Sequence, residues 1–147
     1  MSEPVRFHFD VAGGNFASAG EASATVKKLL RQLGIDSSVI RRISIAMYEG
    51  EINMVIHASG GTAEVVIDEE KLVITLQDVG PGIPNLSQAM QEGWSTASPE
   101  VRGMGFGAGM GLPNMDRNAD RMEVTSVPGQ GTRVVMEIDL PAKEAAT

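Results

Sequence analysis

The sequence predicts an α+β two-layer sandwich: a mixed, mostly antiparallel sheet with helices on one face. Two observations carry this. Two helical patterns follow one another between residues 16 and 58, and at least four stretches of period-two alternation surround them, joined by hairpin-length turns.

Val5-Arg6-Phe7-His8-Phe9 alternates apolar and polar side chains and reads as a first strand, closed by the Gly13-Gly14 turn. Over 16–33, Phe16, Ala19, Val26, Leu29, Leu30 and Leu33 keep helical spacing, and Gly34 supplies the stop. Asp36 or Ser37 can cap a second helix running to about residue 58, where Ser59-Gly60-Gly61 ends it. The stretches 63–67 and 72–76 form a hairpin around Asp68-Glu69-Glu70-Lys71. From Gly80 to Gly111 glycine, proline, serine and methionine dominate, and only 86–92 has the pattern of a short helix. A segment of that length without regular structure usually serves as a lid or binding loop. A helix over 112–119 and strands over 121–127 and 132–140 complete the chain, with Pro128-Gly129-Gln130-Gly131 turning between the strands.

A chain of 147 residues fits one domain spanning 1–147. Its net charge of -7 and pI near 4.8 argue against a broad nucleic-acid-binding face, which needs an excess of lysine and arginine. With no cysteine, disulfides and thiolate zinc sites are excluded. The N-terminus lacks a signal-peptide pattern and no apolar run approaches membrane-spanning length, so the expected address is cytoplasmic, without membrane attachment.

Three stretches carry chemistry. Glu49, Asn53 and His57, spaced by four, line one stripe of the second helix. Glu49 lies roughly 40° from the centre of the Ile45, Ile52, Ile56 stripe. A carboxylate there either borders the core and points to water or serves a site. Asp78-Val79-Gly80-Pro81-Gly82-Ile83 follows a strand directly: an acidic group at a strand end can accept a hydrogen bond from a base amino group, and glycines admit close backbone approach. The same residues also suit a plain turn. Gly103-Met104-Gly105-Phe106-Gly107-Ala108-Gly109-Met110-Gly111-Leu112 places glycine at nearly every second position before a helix, where free N–H groups suit phosphate. No strand precedes it, so a dinucleotide fold is excluded, and there is no P-loop. Because no lysine occurs between Lys71 and Lys143, a bound triphosphate would rely on Mg²⁺, backbone amides and Arg102 or Arg117.

In this order, the three stretches resemble the GHKL superfamily of ATP-binding domains, shared by gyrase-type topoisomerases, chaperones of the ninety-kilodalton class, histidine kinases and mismatch-repair ATPases. The resemblance implies the Bergerat ATP-binding fold. Glu49-x-x-x-Asn53-x-x-x-His57 looks like the asparagine box, Asp78-x-Gly80-x-Gly82-Ile83 the first glycine box, and Gly105-x-Gly107-Ala108-Gly109-Met110-Gly111-Leu112 the second. By that resemblance Asn53 would bind Mg²⁺, Asp78 would read the adenine amino group, and Gly80, Gly82 and the second glycine box would surround ATP under a lid at about 84–109. Thr132 would close the adenine pocket, and Glu49 would be the catalytic group that accepts or orients the proton of an attacking hydroxyl. The likeness is nearest to the anti-sigma-factor and switch serine/threonine kinases, whose implied partners are a STAS-domain antagonist and a sigma factor; homodimerisation is left open. Gly50 and Met54 depart from the pattern, where alanine-like residues are usual. The rival from another class is a nucleotide-gated module that sequesters its partner with little kinase activity. A histidine-kinase reading lacks a dimerisation helix bearing a phosphoacceptor histidine, His8 and His57 being the only histidines.

Overall fold

A computed structural model describes residues 4–14, 17–57, 60–80 and 111–141. The element order is β1 (Val5–Ala12), α1 (Glu21–Gln32), α2 (Ser37–His57), β2 (Gly60–Ile67), β3 (Lys71–Asp78), α3 (Gly111–Asn118), β4 (Arg121–Val127) and β5 (Gly131–Asp139). The five strands form one sheet in the order β1-β2-β3-β5-β4. Every described pairing is antiparallel, so the mixed sheet expected from the sequence is antiparallel throughout the described residues.

Alternation sorts each strand into a core side and an open side. In register, Phe7 lies opposite Val65, Val65 opposite Ile74, Ile74 opposite Met136 and Met136 opposite Met122. This apolar row crosses all five strands, and its three central members are fully buried. Against it pack Leu30 of α1, Ile43 and Met47 of α2 and Met115 of α3, all buried. The open side carries charge instead: Glu137 accepts from Lys71 at 2.8 Å, and Arg121 reaches both Glu137 and Asp139.

Asp36 is the cap that α2 uses: its carboxylate accepts the Ser38 N–H at 3.0 Å and also bonds the Ser38 hydroxyl, which together hold its pKa below the ordinary aspartate value. The first helix is shorter than the periodicity predicts, beginning at Glu21 rather than near Phe16. Gly20 precedes it at φ 93°, a conformation glycine adopts freely, and offers no side chain as a cap. The cap comes from α2. The Glu51 carboxylate, 3% exposed, accepts N–H bonds from Gly20 (3.0 Å), Ala22 (3.2 Å) and Ser23 (3.0 Å), together with the Ser23 hydroxyl at 2.7 Å. A carboxylate at a helix N-terminus satisfies orphan donors and meets the positive end of the dipole.

Gly60 and Gly61 are another correction. They open β2 instead of ending α2, because they sit between two neighbouring backbones. A Cβ on Gly60 would lie 2.3 Å from the Val11 carbonyl oxygen, and one on Gly61 2.1 Å from that of Gln77.

Removing the Glu51 carboxylate leaves the α1 terminus without its acceptor inside the protein. Glu51→Ala is expected to lower stability by about 2–4 kcal/mol, and Ser23→Ala, which deletes one hydroxyl donor, by about 1 kcal/mol. Urea unfolding followed by circular dichroism measures both; an unmoved midpoint for Glu51→Ala would contradict the remote cap.

Candidate active site

The site grows from the middle of α2. Its core side is Ile43, Ala46, Met47, Gly50 and Met54, whereas Ile45 and Ile56 stay half-buried and Ile52, though buried, lies outside the main core. The Ile45, Ile52, Ile56 stripe is therefore not the side that meets the sheet, and Glu49 points roughly 120° away from that side. The helix reads as apolar nearly all round because α1 flanks it on one side and α3 on the other.

Glu49 is half-buried beneath α3. The Asn114 side-chain N–H donates to its Oε1 at 3.2 Å. Burial pushes the Glu49 carboxyl above the ordinary glutamate value, and the Asn114 bond only partly offsets this. Asn53 follows one turn later, half-buried, with no side-chain hydrogen bond among the described residues. His57 is the last residue of α2. Gly50 lets the helix come this close: a Cβ there would lie 2.0 Å from Leu76 Cδ1 of β3 and 3.3 Å from Met115 Sδ of α3.

Asp78 ends β3 and is held by β5. Its Oδ1 accepts the Thr132 N–H at 2.7 Å, and the buried Thr132 hydroxyl lies 3.1 Å from that of Ser126 on β4. A Cβ on Gly131 would meet the Asp78 carbonyl oxygen at 2.3 Å, so only glycine fits beside the aspartate. The chain leaving β3 is tied down on both sides, Val79 N–H to the Gly60 carbonyl at 3.1 Å and Gly80 N–H to the Gln130 carbonyl at 3.2 Å. Burial also pushes the Asp78 carboxyl up, against the lowering effect of the Thr132 bond.

Thus Glu49 and Asn53 share one stripe of α2, and Asp78, Gly80 and Thr132 gather where β3 meets β5. Leu112, expected at the nucleotide, turns its side chain into the core, which leaves its backbone N–H in the first turn of α3 as what it can offer a ligand. Gly111 begins α3. Gly82, Ile83, Gly105, Gly107, Ala108, Gly109 and Met110 lie outside the described residues, as do the 86–92 helix and the 84–109 lid. Sequence reasoning missed Asn114 and Ser126, which are joined to their partners only by tertiary packing; a polar residue between buried Leu112 and Met115 was the one available signal.

The donor set suits a hard cation held sparingly. The Asn53 amide oxygen suits Mg²⁺, which takes one or two protein oxygens and completes its shell with water and phosphate. No group of three or more acidic, histidine or cysteine side chains able to cage a metal occurs among the described residues. Among the same residues no helix is long and apolar enough to cross a membrane.

The family model described as histidine kinase-, DNA gyrase B-, and HSP90-like ATPase matches residues 38–142, and the chain belongs to this family of ATPases. Among its relatives is the serine/threonine-protein kinase RsbT of Bacillus subtilis, 33% identical over 112 residues covering 74% of this chain and 78% of that one. The anti-sigma F factor of Caldanaerobacter subterraneus subsp. tengcongensis is 34% identical over 120 residues, 78% of this chain and 80% of the relative. The fold matches part of the structure of the RsbU and RsbW domains of Rv1364c from Mycobacterium tuberculosis, with a TM-score of 0.59 at 17% identity over 99% of this chain. This chain spans 35% of that structure's length. It also matches the mycobacterial sensor histidine kinase MprB, at TM-score 0.52 and 16% identity over 94% of this chain and 99% of that one.

The raised pKa of Asp78 fixes a sign. The folded chain holds that proton more tightly than the unfolded one, so the resulting stabilisation is complete below the ordinary aspartate value and is lost as pH rises through the folded pKa. Asp78→Asn keeps an oxygen to accept from Thr132 and removes the charge. Without nucleotide, the variant is expected to be at least as stable as the parent near pH 7, with its relative advantage shrinking as pH falls through that window. Thermal melts between about pH 4 and about pH 7 decide this; a parent clearly more stable near pH 7 would contradict it.

Proposed function

We propose that the chain is an ATP-dependent serine/threonine protein kinase of the anti-sigma and switch type, acting as a single unit that phosphorylates a STAS-type regulatory partner. The observation that carries this reading is Glu49: a half-buried carboxylate, raised in pKa, one turn before an asparagine suited to magnesium. A general base works best when its pKa approaches the working pH, and partial burial moves a glutamate in that direction.

In this reading Asp78 accepts a hydrogen bond from the adenine amino group, while Thr132 and Gly80 close the pocket around the base. Asn53 would offer its side-chain oxygen to Mg²⁺, which when bound neutralises charge on the phosphates. The first turn of α3 presents backbone N–H groups to the phosphate tail. The partner's hydroxyl oxygen attacks the γ-phosphorus, its proton passes to the Glu49 carboxylate, and the bond from the γ-phosphorus to the β,γ-bridging oxygen breaks to release ADP. Asn114 orients the carboxylate through its 3.2 Å bond. The anti-sigma F relatives favour a second reading, in which the chain holds a sigma factor and phosphorylates little.

Labelled ATP and Mg²⁺ supplied with STAS-type proteins from the same genome separate the two. Transfer to serine or threonine is expected, and Glu49→Gln is expected to slow it by about 10²–10⁴-fold while nucleotide affinity stays within about threefold. An unmodified partner with the parent protein would favour sequestration. The transfer rate is also expected to rise with pH through a midpoint above the ordinary glutamate value, a limb missing from Glu49→Gln; a flat profile in the parent would remove Glu49 as the base.

A further inference from the structure

Where α1 runs out and α2 begins, the outer side of their junction forms a groove of about 480 Å³. Its floor is aliphatic, made by Ile40, which is buried, and by half-buried Ile35 and Ile45. Its walls are cationic. Lys27 and Arg31 stand one turn apart on α1, and Arg41 stands one turn before Ile45 on α2. All three cations are exposed and none has an ion pair among the described residues, whereas neighbouring Arg42 is committed to Asp120 at 3.0 Å.

The charge is concentrated there. Segment 27–42 holds five of the chain's twelve cationic residues and one anion, Asp36, whose carboxylate is occupied in capping α2. The chain as a whole carries a net charge of -7, so this basic groove stands on an otherwise acidic molecule.

We propose that the groove docks an acidic amphipathic helical segment of a partner protein. Aliphatic side chains of that segment seat on the three isoleucines, and flanking carboxylates meet Lys27, Arg31 and Arg41. A nucleic acid or an anionic membrane surface would use the cations but has no use for an isoleucine floor at this scale, and both extend onto surface that repels them. Four residues of α2 separate Ile45 from Glu49, a rise of about 6 Å, so the docked segment lies beside the helix that carries the site. The assignment stands on the groove alone and holds whether or not the chain transfers phosphate.

A displayed library of random peptides about sixteen residues long, selected against the parent protein, tests it. Expected winners are rich in Asp and Glu, with aliphatic residues at helical spacing. A synthetic winner is expected to lose affinity at least about tenfold against Lys27→Glu/Arg31→Glu/Arg41→Glu and against the milder Lys27→Gln/Arg31→Gln/Arg41→Gln, and to weaken with added salt. Circular dichroism and ATP affinity of the glutamine variant are expected to match the parent, which separates lost docking from lost folding. Overturning results are no enrichment, winners without acidic bias, or undiminished binding to the glutamine variant. Tighter binding of a labelled DNA duplex or of phosphatidylglycerol-containing vesicles than of any selected peptide would overturn it too.

Discussion

Three consecutive residues of α2 fasten that helix to three different neighbours, and the rest of the molecule is arranged around them. Successive helical side chains point about 100° apart. Glu49 reaches Asn114 of α3, Gly50 lies against Leu76 of the sheet and Met115 of α3, and Glu51 caps α1. Each uses a different interaction: a partly solvated hydrogen bond, close backbone packing, and a buried carboxylate on a helix terminus. Because they are neighbours in the chain, moving α2 to relieve one disturbs the other two. Glu49 is thus held beside two further contacts of the same helix.

The candidate site also carries a cost for the fold. Burial raises the pKa of both Glu49 and Asp78, so ionising either carboxyl is harder in the folded chain than in the unfolded one. The apolar row from Phe7 to Met122 and the helices packed on it supply the compensating stability, on the one sheet face that is dry. The open face, by contrast, carries exposed ion pairs of small energetic weight. Function and stability are separated by position: the core fills the middle of the sandwich, and the polar groups gather at the strand ends and the exposed flanks of the helices.

Elements set by local signals are legible in the chain, and those set by remote contacts are not. Strands β4 and β5 and the turn between them follow from clean alternation around Pro128-Gly129-Gln130-Gly131, and the start of α2 follows from Asp36. Periodicity places the α1 boundary too early because the cap comes from Glu51, 28 to 31 residues away, and no local pattern encodes that. Gly60 and Gly61 look like a helix stop, although their task is to fit between Val11 and Gln77. The core side of α2 does not follow from its apolar stripe, because a helix flanked by two others shows apolar residues on more than one side. The shared stripe of Glu49 and Asn53 and the place of Asp78 at a strand end follow from spacing, while Asn114, the partner of Glu49 from 65 residues away, does not.

The central claim is that Asp78, fixed by Thr132, reads the amino group of adenine at the end of β3. Calorimetric titration of the protein with ATP and with inosine triphosphate, each with Mg²⁺, asks this directly, since the two differ at the exocyclic group that Asp78 would accept from. ATP is expected to bind more tightly by on the order of tenfold to a hundredfold, the worth of one charge-assisted hydrogen bond. Equal affinity for the two nucleotides, or no heat with either, would contradict it.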